Sequence, residues 1–168
     1  MIRAMETSDI LRASEIKASA RRQNYLENLS DEYFFGEISI SIAKIEKQLA
    51  ESISDKETQT YVYDSGIIKG FITIGPCHDE DKKGVLELWN IYVDPIMQRQ
   101  GIGTALIRFF EETAKGLGYN EICLRTLNKN LSAQSFYNKS GYICDGKIFA
   151  NDYFKKLNVH NIRYIKEI

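Results

Sequence analysis

Proline is scarce in this chain, two among 168 residues, and cysteine, histidine and tryptophan number three, two and one. No Pro-, Gly- or Ser-rich stretch reads as a linker, and no segment repeats. The expectation is therefore one domain over residues 1–168 rather than an array of modules. Cys77, Cys123 and Cys144 cannot all pair within one chain. With only His78 and His160 beside them, their spacing fits no zinc pattern, so no metal is expected. The thiols read as reduced residues of a cytoplasmic protein, and a cysteine nucleophile has no histidine signal beyond Cys77–His78. No run approaches the length of a membrane span, and the start, Met1 to Glu6, has no signal-peptide core. Neither sign of charge is in excess, since 22 Lys+Arg against 23 Asp+Glu leave a net −1. That balance gives no electrostatic reason to expect nucleic acid or an anionic membrane as partner.

What is present is an ordinary globular pattern. Ile2 to Met5 reads as a short strand. Thr7-Ser8-Asp9 is an N-cap cluster before a helix with Ile10, Leu11, Ala13, Ile16, Ala18 and Ala20 as its apolar stripe. Asn24 to Leu29 reads as a bend. A second helix is expected from Ser30, with Ile38, Ile42, Ile45 and Leu49 on one face. Tyr25, Tyr33, Phe34 and Phe35 cluster at the junction, as core or, for one or two of them, as lining of a pocket. Thr58–Tyr63 and Ile67–Ile74, joined by Asp64-Ser65-Gly66, form a hairpin signal closed by Gly75-Pro76. After a charged loop, Val85 to Val93 is the next strand, ended by Asp94-Pro95. The helix that follows carries Ile102, Ala105, Leu106, Phe109, Phe110, Thr113 and Leu117 on one face, with Gly118 as C-cap. Glu121–Thr126 completes a right-handed β-α-β unit with parallel strands. Leu131–Lys139 is a short helix, and Tyr142–Ala150 and Asn161–Ile168 are two last, antiparallel strands.

One stretch organises the rest. Gln98-Arg99-Gln100-Gly101-Ile102-Gly103-Thr104 stands between a strand and the start of a helix. Glycine permits a tight turn and close approach of a ligand, and the first helical turn has unpaired N–H groups at the positive end of the dipole. Strand, Gly-turn and helix start together describe an anion cradle made of backbone. The P-loop is excluded because Thr104-Ala105, not Lys-Ser/Thr, follows Gly103. The dinucleotide fingerprint is excluded because Leu106 stands where its third small residue belongs.

Gln98-x-x-Gly101-x-Gly103, after a strand ending Tyr92-Val93-Asp94-Pro95, resembles the coenzyme A pyrophosphate loop of the GNAT superfamily of N-acetyltransferases. Asn130-Leu-Ser-Ala133-Gln-Ser-Phe136-Tyr137-Asn-Lys139-Ser-Gly141-Tyr142 resembles that family's second block. The likeness runs from about Glu87 to Tyr142. It implies an α/β (α+β) fold, a mixed and mostly antiparallel sheet with a parallel β-α-β unit and helices on both faces. It also implies acetyl-CoA as cofactor and a small-molecule or peptide amine as acceptor, in a monomer or homodimer.

By that resemblance the pyrophosphate rests on the backbone amides of Arg99, Gln100, Gly101, Ile102, Gly103 and Thr104, and Gln98 of the motif is a further cofactor-binding residue. The pantetheine lies beside Ile91, Tyr92 and Val93, which requires this strand to splay from Glu121–Thr126. A backbone N–H near Tyr92 or Val93 would then be the oxyanion donor. Asn130, otherwise a helix N-cap, and Phe136, otherwise a packing residue, are cofactor contacts. Tyr137 is the candidate acid at the sulfur. Glu87, a carboxylate in the apolar run Val-Leu-Glu-Leu-Trp, is the candidate base or else a salt-bridged strand residue. A different class stays open, a coenzyme A-binding sensor or interaction domain without catalysis.

Overall fold

In the computed structural model, which describes residues 1–28, 41–150 and 159–168 (side chains of 25–28 excepted), a seven-stranded sheet separates two helical layers. The elements are β1 (Ile2–Ala4), α1 (Ile10–Asn28), α2 (Ile42–Ser54), β2 (Gln59–Asp64), β3 (Ile68–Pro76), β4 (Leu86–Val93), α3 (Ile102–Gly116), β5 (Glu121–Leu127), α4 (Leu131–Lys139), β6 (Ile143–Ala150) and β7 (His160–Glu167). The sheet order is β1-β2-β3-β4-β5-β7-β6, every pair antiparallel except β4–β5. The fold class is thus the expected one, and among the described residues the elements follow the expected β-α-α-β-β-β-α-β-α-β-β order.

Alternation along β3 divides the core. Ile72 and Ile74 pack with Leu86, Leu88, Ile122 and Leu124 against Ile102, Leu106, Phe110 and Ala114 of α3 and Tyr137 of α4. Phe71 and Val62 point the other way, into Ala13, Ile16 and Ala18 of α1 and Ile45 and Leu49 of α2. Burial of each large apolar side chain contributes roughly 1.5–3 kcal/mol. The small residues Ala13, Ser14 and Ala18, all buried, let α1 lie close on the sheet.

Helix α3 ends as its sequence indicates. Gly118, at φ +85°, sends its N–H to Lys115 O, and Tyr119 N bonds Ala114 O, the paired bonds of a Schellman ending. The same arrangement closes α4, where Gly141 N bonds Asn138 O and Tyr142 N bonds Tyr137 O at 3.0 Å each. It seats the Tyr142 ring beside that of Tyr137, centroids 6.1 Å apart.

Several expectations are corrected. The bend placed at Asn24–Leu29 is helix as far as Asn28, because nothing there stops α1. Leu11, assigned to the buried stripe, is 58% exposed, and that side of α1 buries Ser14 and Lys17 instead. The cap before α1 is Glu6, in a reciprocal capping box with Asp9 through a short 3-10 turn at Thr7–Asp9. Leu117 lies past the end of α3 and is exposed. β3 runs through Gly75 to Pro76, which, as the last strand residue, still pairs with Leu86. The expected helix start at Ser30, Ile38, Tyr33, Phe34 and Phe35 lie outside the described residues, as does the side chain of Tyr25; α2 is capped by Ser41, whose hydroxyl accepts from Lys44 N.

Candidate active site

Two irregularities of β4 make the site. Against β3, Thr73 pairs with Asn90 but Ile74 with Leu88, so Trp89 is an extra residue, a β-bulge. The bulge shifts the alternation: Leu86 and Leu88 face α3, and beyond it Ile91 and Val93 do, while Tyr92 packs on the α1 side. Against β5, pairing stops after Leu88↔Leu124 although both strands continue, to Val93 and Leu127. The strands splay, as the resemblance required, and a cavity of about 1110 Å³ opens between them.

The cavity runs from the glycine loop, past Ile91, Tyr92 and Val93, to Phe136 and Tyr137. The loop is curled by left-handed backbone at Arg99 (φ 62°) and Gly101 (φ 81°). Gly101 is the N-cap of α3, and the first bond of the helix runs from Ala105 N to Gly101 O, 2.9 Å. The N–H groups of Ile102, Gly103 and Thr104 therefore have no intrahelical acceptor, and they converge with the dipole at the cavity wall. Gly103 faces the ring of Phe136, where a Cβ would sit 3.5 Å from the ring edge. Of the sequence-stated cofactor residues, Ile91, Tyr92, Val93, Gln98, Arg99, Gly101, Ile102, Gly103, Thr104, Asn130, Phe136 and Tyr137 line the cavity. Gln100 does not, its amide reaching Met97 Sδ at 3.9 Å. A backbone anion cradle opening into an unpaired strand edge fits a long ligand with phosphates at one end and amides along its arm.

Asn130 acts as the N-cap of α4, its Oδ1 accepting from Ala133 N at 3.1 Å. Asn130→Ala should lower stability by about 1 kcal/mol, and Asn130→Asp, which keeps the acceptor oxygen, should not. Urea denaturation of the three proteins measures this, and an unchanged Ala variant would remove the capping role.

Tyr137 is 6% exposed, its ring edged by Phe136, Tyr142 and Tyr164 with centroids 5.5 to 6.1 Å away. Burial first, and then Tyr92, push its phenol well above the usual range, so it keeps its proton at any working pH.

Glu87 does not line the cavity. It sits in the paired part of β4, opposite Gly75 and Cys123, on the α1 side of the sheet. Its Oε1 is 3.4 Å from Nε of Arg125, and Arg125 does line the cavity. Burial raises the Glu87 carboxyl above its ordinary value, while Arg125 opposes the shift. Arg125 also pairs with Asp79 and stacks 4.0 Å over Phe149. Asp79, with Asp81 and Asp145, surrounds the buried Arg163 at 2.6 to 2.8 Å. Cys77, Cys123 and Glu87 bring three polar atoms within 4.8 Å of one another. Burial raises both thiols, so they stay protonated and are poor nucleophiles.

The sequence reading passed over Lys17, Arg21, Trp89, Asn90 and Arg125, all in the cavity wall. Lys17 had a signal: it stands three and four residues after Ser14 and Ala13, on the buried side of α1. Arg125 follows the apolar run Ile-Cys-Leu of β5, and its role depends on the splay. α1 is held over the cavity by the ion pair of Arg12 with Asp94 and by Gln98 Nε2 donating to Gln23 Oε1 at 3.4 Å.

A sequence profile described as the Acetyltransferase (GNAT) family matches residues 23–142. The chain belongs to the GNAT acetyltransferase family. Acetyl-CoA is the acyl donor of that family. Among curated relatives, this GNAT chain is 32% identical over 80 residues to human N-acetyltransferase 8, covering 48% of the chain and 35% of the human protein. It is 35% identical over 88 residues to the uncharacterized protein YxbD of Bacillus subtilis (strain 168), 52% of the chain and 50% of that protein. The match thus spans half or less of the length of these relatives. Among solved structures, paia N-acetyltransferase from Thermoplasma acidophilum in complex with coenzyme A superposes with a TM-score of 0.75 at 20% identity, over 100% of this chain and 98% of that one. That likeness is one of fold.

Proposed function

We propose that this GNAT domain transfers the acetyl group of acetyl-CoA directly to a primary amine. The continuous cavity from the Gly101–Gly103 loop along the unpaired edge of β4 to Tyr137 is the observation that carries the reading. Arg99 and Gly101 to Thr104 hold the pyrophosphate through backbone N–H groups, and Ile91 to Val93 take the amides of the pantetheine arm as an added strand. When bound, acetyl-CoA supplies a thioester carbonyl open to attack by an amine. An N–H at Tyr92 or Val93 faces the developing oxyanion. Tyr137 gives a proton to the leaving sulfur, and Glu87 accepts one from the acceptor through water at Arg125. The reaction runs in the cytoplasm, within one domain acting as monomer or homodimer on a small-molecule or peptide amine. Thiol release from acetyl-CoA with a panel of amines, and mass spectrometry of the product, test the reading. Tight coenzyme A binding without acetylation of any amine would make the domain a sensor or interaction module instead.

Glu87→Gln separates a base from a scaffold residue. A base works deprotonated, and its raised pKa puts its working limb above the ordinary carboxylate range. The variant should lose roughly 10²-fold near neutral pH, where the base has work to do. Much of that loss should return by about pH 9, where solvent itself deprotonates an amine of pKa about 8 to 10. A loss of equal size at every pH would mean that Glu87 only holds Arg125.

A further inference from the structure

Among the described residues that line the cavity, five are cationic, Lys17, Arg21, Arg99, Arg125 and Lys139, and none is acidic. Arg99 stands in the glycine loop and Lys139 on α4, where a cofactor's phosphates account for positive charge. Arg125 is already paired with Asp79 and Glu87. Lys17 has no such explanation. It is only 8% exposed, and among the described residues no carboxylate lies within ion-pair distance of its ammonium. Its ammonium lies over the Tyr92 ring, 5.6 Å from Nζ to the centroid.

Lysine is almost never buried to this degree without a partner, and a ring face returns only about 0.5–2 kcal/mol of the desolvation cost. Burial, and then the charge of Arg21, push Lys17 down to about 8, as expected of a cation short of a counter-ion. Arg21 lies one helical turn further along α1 and lines the same wall. Both residues lie on the wall that α1 builds over Tyr92, beside the strand edge that takes the pantetheine arm.

We propose that Lys17 supplies the counter-charge of the acceptor site, and that the acceptor is an amine that also carries an anionic group, a carboxylate or a phosphate. This rests on the acetyl-transfer reading. A ligand anion supplies the partner that Lys17 lacks, and it orients the amine by its far end. The same charge repels acceptors with a second ammonium, which sets polyamines and aminoglycosides apart as poor substrates.

The test uses the coenzyme A-loaded protein and the fluorescence of Trp89, the chain's single tryptophan, in the cavity wall. Four amines are titrated: 6-aminohexanoate, O-phosphoethanolamine, hexylamine and 1,6-diaminohexane. At least one anionic amine should bind about tenfold or more tightly than hexylamine, a gain of about 1.4 kcal/mol, and the diamine should bind worst. The better of the two anions identifies carboxylate or phosphate. Lys17→Met, close in length, should reduce the preference to within about threefold, and Lys17→Arg should restore it, both with wild-type affinity for coenzyme A. No gain for either anion over hexylamine, undetectable binding included, overturns the proposal, as does a preference that survives Lys17→Met. Weaker coenzyme A binding in Lys17→Met with an unchanged order of amines assigns the lysine to the cofactor's phosphates and overturns it too. Failure of the wild-type protein to bind coenzyme A would defeat the acetyl-transfer reading itself, a separate result.

Discussion

Tyr137→Phe should lower kcat by roughly 10²-fold, the lower end for removal of a general acid, with the dissociation constant of acetyl-CoA nearly unchanged. The ring is what packs: it is 6% exposed and meets three aromatic neighbours on α4, β7 and the Gly141 turn. Phenylalanine preserves that packing, and the hydroxyl makes no hydrogen bond to a described protein group, so its removal leaves no orphaned partner. Because burial holds the phenol protonated, the wild-type contribution should not fade toward mildly alkaline pH. A thiolate of pKa about 8.5 can leave without a proton, which is why a residual rate is expected. Steady-state thiol release beside a direct binding titration measures both quantities. If the Phe variant turns over at the wild-type rate with an acceptor for which chemistry is rate-limiting, Tyr137 is a packing residue. Tyr142, buried beside it, is then the next phenol to test.

Those parts of the fold written in local periodicity and turn chemistry were legible in the sequence. The hairpin at Asp64-Ser65-Gly66 forms with Gly66 at φ 92° and its N–H on Asp64 Oδ1 at 2.9 Å. The ends of α3 and α4 follow from Gly118 and Gly141. The break of α1 was misjudged because Asn24 to Asn28 read as polar and aromatic without a true stop signal, neither glycine nor proline. The site was legible where it is built from backbone, since glycine spacing reports backbone conformation directly. It was opaque where it depends on tertiary register. Glu87 looks singular in sequence because it interrupts an apolar run, yet its pairing with Gly75 and Cys123 sets it beside Arg125 and outside the cavity wall. Lys17 looks ordinary in sequence because a lysine on a helix is usually solvated. Only the packing of α1 over Tyr92 makes it a buried charge.

Gly101→Val should weaken coenzyme A binding by about 10- to 10²-fold, the loss of a hydrogen bond or so between backbone and a charged phosphate at about 1.5–3 kcal/mol. Gly101 sits at φ 81°, where a side chain costs about 1–2 kcal/mol and a β-branched one more, so valine drives the residue toward ordinary helical or extended backbone. That movement unwinds the curl that aims the first N–H groups of α3 at the cavity, and nothing else nearby resists it, since no atom lies within 4 Å of where the new Cβ would stand. The weakening is thus a change of backbone direction and not a steric block. Gly103→Val tests the complement: its backbone is unstrained, but its side chain enters the space before Phe136, so binding should fall by obstruction. Gly118→Val is the control. It carries the same kind of strain, φ 85° in open space, at the other end of α3 and outside the cavity wall. It should cost similar stability and leave coenzyme A affinity alone. Calorimetric titration of all three variants decides the matter. Wild-type affinity in Gly101→Val, or an equal loss in Gly118→Val, would mean that the curl at Arg99–Thr104 does not hold the phosphates, and the cradle would have to be sought elsewhere along the cavity.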